Sequence, residues 1–251
     1  MRELDGLVWL LLLTCLLVLM QRSLHREIQA VFLLITRNVD ISRVLFSVLF
    51  FPGVFLHETS HYAMALILGV RTGHFSLLPR QIDGERLQLG FIETERTDAV
   101  RDALIGAAPL LTGGLVVAYI GLVQFGLAGF WQSLESGSGT AWITSLAGIF
   151  SHPDFWLWLY LAFVVSSTMM PSRSDRRAWL PIILILSFLL LISLLGGAGP
   201  WLEQTLAPTL DSILRSIVVV FGISSVMHLA LWPPLYIGRH ILEHFTGFKV
   251  T

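Results

Sequence analysis

A single cysteine, Cys15, stands in this chain of 251 residues, so no internal disulfide can staple the fold. Charge is scarce as well. Asp, Glu, Lys and Arg make up 13% of the residues, about half of the roughly 25% with which a soluble globular domain solvates its surface. No excess of one sign exists either: 16 Lys and Arg against 17 Asp and Glu give a formal net charge of −1. There is no basic surplus to neutralise phosphates, which excludes an electrostatic nucleic-acid binder. A disordered chain and a free cytosolic enzyme are excluded by the same shortage of polar surface.

What the chain has instead is apolar length, with 55% hydrophobic residues. Crossing a bilayer takes roughly 20 apolar residues per helix. Five runs meet or approach this: 4–20, 44–70, 104–127, 179–195 and 214–237. A sixth, 155–170, is short but carries Phe155, Trp156, Trp158 and Tyr160, the residues of a membrane interface. The expectation is a single integral membrane domain spanning 1–251, all-α and polytopic, with about six transmembrane helices. Residues 4–20 are a retained anchor, because the flank Gln21-Arg22-Ser23 lacks a small-residue cleavage pattern. Residues 24–36 mix polar and apolar side chains and read as an interfacial helix.

Arginine placement predicts orientation. Residues 71–103 carry Arg71, Arg80, Arg86, Arg96 and Arg101, and 172–178 carry Arg173, Arg176 and Arg177, whereas 128–154 and 199–211 hold neither Lys nor Arg. The first group is therefore expected in the cytoplasm, with the tail bearing Arg239 and Lys249, and the second outside; Arg22, Arg26, Arg37 and Arg43 run against this order if residues 4–20 cross fully, which leaves the side of 21–43 open. Residues 74–78 and 86–92 are the strand-like runs, joined by a linker containing the turn dipeptide Asp83-Gly84, so a cytoplasmic-face β-hairpin is expected there.

Chemistry concentrates in the second apolar run, which contains His57-Glu58-Thr59-Ser60-His61. Four residues apart on a helix, the two imidazoles share one face at metal-chelating distance, with Glu58 placed to exchange protons with water at the metal. Composition alone yields such an HExxH pattern in about one chain in a hundred. Three ionisable side chains in an apolar span are also costly unless paired or metal-bound. A bland reading, a polar patch bonded between helices, stands beside it.

A third ligand is needed, and Asp175, following Met170-Pro171-Ser172-Arg173-Ser174, is the candidate. It could equally pair with Arg173, Arg176 or Arg177. The inverted pattern His240-Ile241-Leu242-Glu243-His244 reads as a solvated amphipathic helix rather than a second metal motif. His228 is expected to be hydrogen-bonded inside the bundle, and His25 and His74 to face solvent.

These residues resemble the site-2 protease family of intramembrane zinc metallopeptidases over 44–177, with 179–237 as additional C-terminal helices. Gly106-Ala107-Ala108-Pro109-Leu110 is similar to the family's start of the helix after the hairpin. The resemblance implies one Zn2+ per chain held by His57, His61 and Asp175, and Glu58 as the catalytic base. It also implies that the hairpin takes the substrate as an added strand. Ser167 and Thr168 would contact that substrate; Thr168 stands where the family has Asn, and Asp175 follows Pro171 by four residues rather than five. With 27 residues in 128–154 there is no room for an inserted PDZ domain. The expected activity is hydrolysis of a membrane-embedded or juxtamembrane peptide bond. Its partners would be a membrane protein or peptide substrate and the lipid bilayer, in a multi-pass protein of a prokaryotic cytoplasmic membrane with its site toward the cytoplasm. The alternative is a catalytically inactive scaffold that keeps the fold.

Overall fold

The structure, a computed structural model, describes residues 5–76, 80–82, 86–88, 90–95, 97–135, 137 and 139–249. Helix α1 (Asp5–Thr36) and helix α2 (Val39–Ile67) come first. Strands β1 (Thr72–Ser76), β2 (Arg80–Ile82), β3 (Arg86–Gln88) and β4 (Phe91–Thr94) follow. Then come α3 (Ala99–Tyr119, continued by a π-helical turn Ile120–Gln124), α4 (Leu127–Glu135), α5 (Gly139–Phe150), α6 (Phe155–Thr168) and α7 (Trp179–Leu195). A last long helix comprises α8 (Gly199–Trp201), a π-helical stretch Leu202–Leu206 and α9 (Ala207–Thr246).

Among the described residues four helical stretches are long and apolar enough to cross a membrane: Asp5–Thr36, Val39–Ile67, Ala99–Gln124 and Gly199–Thr246. A fifth results if α5 and α6, bent by 85° at their junction, act as one broken span. The molecule is thus an all-α membrane protein in its architecture. Its outer surface is apolar, as on α7, where Leu184 is 61% exposed, while Glu58, His61, Ser166 and His228 are buried inside. In lipid this inversion costs nothing, because the tails are as apolar as leucine.

Local chemistry sets the helix ends. Asn38 accepts from the backbone N–H groups of Asp40 and Ile41 and so starts α2, after Arg37 turns the chain at φ 51°. Asp98 does the same for α3 through Val100 and Arg101. Strands β1 and β4 pair antiparallel, with Ser76 opposite Phe91, and enclose the antiparallel pair β2–β3, with Ile82 opposite Arg86. The Asp83-Gly84 turn lies outside the described residues.

The structure corrects the sequence reading of the chain's course in two places. Residues 24–36 are not a separate interfacial helix; no proline interrupts 5–36, and α1 runs through both segments. More consequentially, α1 and α9 are parallel: Gly6 donates to Asp211, Trp232 to Ser23, and Arg239 faces Glu27. Since α1 and α2 are antiparallel about a tight turn, the start of α9 lies at the same bundle end as residues 71–103. Residues 199–211 therefore do not face away from that arginine-rich segment, and Arg239 and Lys249 fall at the opposite end. The arginine argument failed because it took α7 as a full crossing. In the fold α7 meets the bundle near its start, where Trp179 donates to the Ala103 carbonyl, and the chain enters α9 from that same end.

Among the described residues, the two larger apolar clusters run through the bundle, and a smaller one of Ala65, Val70 and Ile105 lies where α2 meets α3. Leu24, Phe46, Phe50, Ile120, Phe155 and Phe163 form one of the larger pair, and Leu17, Val117, Val165, Met169 and Phe221 the other.

Candidate metal centre

His57 and His61 project from one face of α2, and their Nε2 atoms are 3.2 Å apart. The other nitrogen of each ring is committed. His57 Nδ1 donates to the Thr168 carbonyl at 2.7 Å, and His61 Nδ1 donates to the Ile105 carbonyl at 2.8 Å. A carbonyl only accepts, so each Nδ1 carries the proton and each Nε2 presents a bare lone pair. Two such lone pairs face to face repel unless an electropositive centre lies between them. Orienting Nδ1–H bonds of this kind are the usual outer support of metal-binding histidines.

The carboxylate arrives from the segment after α6. Asp175 Oδ1 is 3.6 Å from His61 Nε2 and its Oδ2 is 3.8 Å from His57 Nε2. Ligands about 2.0–2.2 Å from a common tetrahedral centre stand roughly 3.3–3.6 Å from one another. The separation of the two imidazole nitrogens matches that, each ring has a carboxylate oxygen within a few tenths of an ångström of that range, and one ligand atom from each of the three residues lies within 4.8 Å of the others. Among the described residues this is the one group of three His, Cys, Asp or Glu side chains placed to hold a metal ion. The donor set, two imidazoles and a carboxylate, suits zinc, although it does not distinguish zinc from other divalent transition metals.

Glycines let these segments meet. A Cβ on Gly53 would lie 2.4 Å from the Val164 carbonyl oxygen, so its absence brings α6 onto α2 where Thr168 can reach His57. A Cβ on Gly106 would lie 1.9 Å from the Asp175 carbonyl oxygen. One dipeptide of α3, Ile105-Gly106, therefore both orients His61 and admits Asp175. The approach is clasped by Arg177, whose Nε and Nη2 each donate to Asp102 at 2.7 Å. Asp175 is itself pinned by the Ser172 backbone N–H at 2.7 Å.

Glu58 is buried, at 8% exposure. Gly90, just before β4, lies against it; a Cβ there would be 2.7 Å from Glu58 Cγ. The strand segment thus covers α2 at the histidine pair.

Ser167 and Thr168 have roles that their sequence context did not reveal. Ser167 is buried, with its hydroxyl 2.9 Å from His228 Nε2, and Thr168 offers its carbonyl to His57 while its hydroxyl bonds back to Val164. His228 is a bonded bundle histidine as expected, also donating to the Ser224 carbonyl. His25 is not solvent-facing: it packs edge-on against Phe46 and Phe50, and its Nε2 is buried. His240 and His244 lie on exposed positions at the far end of α9, and Glu243 of that motif faces Arg239.

Comparison of the chain with protein-family models, with curated proteins and with solved structures found no match.

Proposed function

We propose that the chain is an intramembrane zinc metalloendopeptidase that cleaves a membrane-embedded or juxtamembrane peptide bond. One observation carries this reading. Two bare Nε2 lone pairs and a carboxylate converge at ligand spacing, next to a buried glutamate, inside an apolar bundle. Unpaired ionisable groups in such a place are expensive, and a divalent cation removes the expense.

His57, His61 and Asp175 would hold the ion. When bound, zinc supplies Lewis acidity toward the peptide carbonyl and lowers the pKa of water to about 7. The remaining chemistry belongs to the chain. Glu58 takes the proton of the attacking water and returns it to the leaving amide nitrogen. The Thr168 and Ile105 carbonyls hold the imidazoles in one tautomer throughout. The β1–β4 strands beside Gly90 offer main-chain partners to an unwound substrate segment. The cytoplasmic placement of the site in a multi-pass protein is part of this proposal and rests on the family resemblance, since Arg71, Arg101, Arg173, Arg176 and Arg177 at the end nearest the site are offset by Arg22, Arg26, Arg37, Arg43, Arg239 and Lys249 toward the other.

The test uses the detergent-purified whole chain. About one zinc per chain is expected, lost in His57→Ala and retained in Glu58→Gln. The Glu58→Gln variant should cleave a transmembrane reporter at least about 100-fold more slowly than wild type. Metal-free wild-type protein after zinc reconstitution would remove the reading. Cleavage by Glu58→Gln at the wild-type rate would remove the mechanism and leave the metal site. Bound zinc with no cleavage of any membrane reporter would point to a scaffold.

A further inference from the structure

Three consecutive hydroxyl residues end α6: Ser166, Ser167 and Thr168. Two of them bond back to their own helix, as such side chains ordinarily do. Ser166 donates to the Phe163 carbonyl at 3.0 Å and Thr168 to the Val164 carbonyl at 2.9 Å. Ser167 does not. Its hydroxyl reaches α9 instead, 2.9 Å from His228 Nε2. The far side of the ring fixes the direction of that bond. His228 Nδ1 lies 2.7 Å from the Ser224 carbonyl, so Nδ1 carries the proton, Nε2 is bare, and Ser167 donates to it. Both residues are buried, and the His228 ring packs on Phe163, one turn before Ser167.

The backbone of the same turn is held as well. The last carbonyls of a helix have no intrahelical donor and need one from elsewhere. That of Ser167 accepts from the Gln21 side-chain amide of α1, and that of Thr168 from His57 Nδ1. The final turn of α6 is therefore tied to α1 through Gln21, to α9 through His228 and to α2 through His57. Two of the three candidate ligands depend on where this turn sits. His57 takes its ring orientation and tautomer from the Thr168 carbonyl, and Asp175 follows seven residues after Thr168.

We infer that His228 is a positioning residue for the metal centre: through Ser167 it holds the last turn of α6 where the Thr168 carbonyl meets His57. The role rests on His57, His61 and Asp175 holding zinc. Two hydrogen bonds, His228–Ser167 and Thr168–His57, carry it, with one peptide unit between them. The histidine thus gives α9, which supplies no ligand, a part in the site. Losing a direct partner of a ligating histidine costs about 10–100-fold in metal affinity, and a partner one link further out belongs at the low end of that range.

Competitive chelator titration of zinc on the detergent-purified whole chain tests this. Ser167→Ala and His228→Leu should each weaken zinc binding by about tenfold. His228→Gln, which returns an acceptor oxygen near the place of Nε2, should stay near wild type. Ser166→Ala deletes an equally buried hydroxyl from the same turn without touching α9, and should leave the affinity unchanged. The visible spectrum of the Co(II)-loaded chain reports ligand geometry rather than fold stability; it should change in Ser167→Ala and not in Ser166→Ala. Wild-type affinity in Ser167→Ala or His228→Leu overturns the positioning role and leaves the metal centre standing. So does an equal loss in Ser166→Ala or His228→Gln, or a cobalt spectrum that Ser167→Ala leaves unchanged. Wild-type protein that takes up no zinc overturns the metal centre and the positioning role together.

Discussion

Gly106 lies so close to Asp175 that a single methyl group at its Cα would sit 1.9 Å from the Asp175 carbonyl oxygen. The carboxylate can face His57 and His61 only because this position of α3 carries no side chain. Gly106→Ala should therefore push the Asp175 segment off α3 and lower zinc affinity by about 10–100-fold, the usual cost of losing an outer-shell support. Gly114→Ala is the control, since its Cβ would meet nothing closer than 3.8 Å. Competitive chelator titration of the two variants reads the difference; equal affinities would show that the close contact relaxes without moving the ligand.

The Arg177–Asp102 clasp acts on the same segment from outside. Arg177 is about half exposed, and its hydrogen bonds to Asp102 hold the guanidinium pKa above its ordinary value. An exposed pair of this kind contributes under about 1 kcal/mol to stability. Asp102→Asn should thus change Tm little while weakening zinc binding by about tenfold. A large fall in Tm with unchanged metal affinity would assign the clasp to the fold rather than to the site.

His240 and His244 repeat the four-residue spacing but not the surroundings. Glu243 faces Arg239, and no third ligand joins the two rings among the described residues. The double variant His240→Ala, His244→Ala should keep the full zinc complement and wild-type cleavage. Loss of one equivalent of metal would reveal a second site there.

Acid should loosen the start of α3 through Asp98. The backbone N–H of Arg101, followed by the Arg101 charge and the Val100 N–H, holds this carboxyl below the usual Asp range. A depressed folded-state pKa contributes stability above the unfolded value of about 3.9, and that contribution is lost as pH falls through the lower folded value. Asn caps a helix nearly as well without titrating. Melting curves between about pH 5 and pH 2 should therefore show a shallower acid loss in Asp98→Asn than in wild type. Parallel curves would mean that other carboxylates carry the acid limb.

The sequence by itself determined the apolar surroundings and the placement of the first two candidate ligands. A chain with so few charges and such long apolar runs has only helices with which to cross lipid, because every backbone group must be satisfied within its own segment. The helical period then places His57 and His61 on one face whatever surrounds them. Asp175 was legible only as a nearby candidate, and the parallel course of α1 and α9 was not legible at all.

Tertiary structure decided the rest. Which carbonyls fix the two imidazoles cannot be read from residue identity, since every residue carries a carbonyl and only packing brings Thr168 and Ile105 to those rings. The approach of Asp175 depends on a missing Cβ 69 positions earlier in the chain, at Gly106. The Trp232–Ser23 hydrogen bond and the Arg239–Glu27 pair likewise exist only because α9 enters from the same end as α1. Spacing along one helix is a local property of the backbone, whereas the meeting of distant segments depends on which surfaces have room for each other.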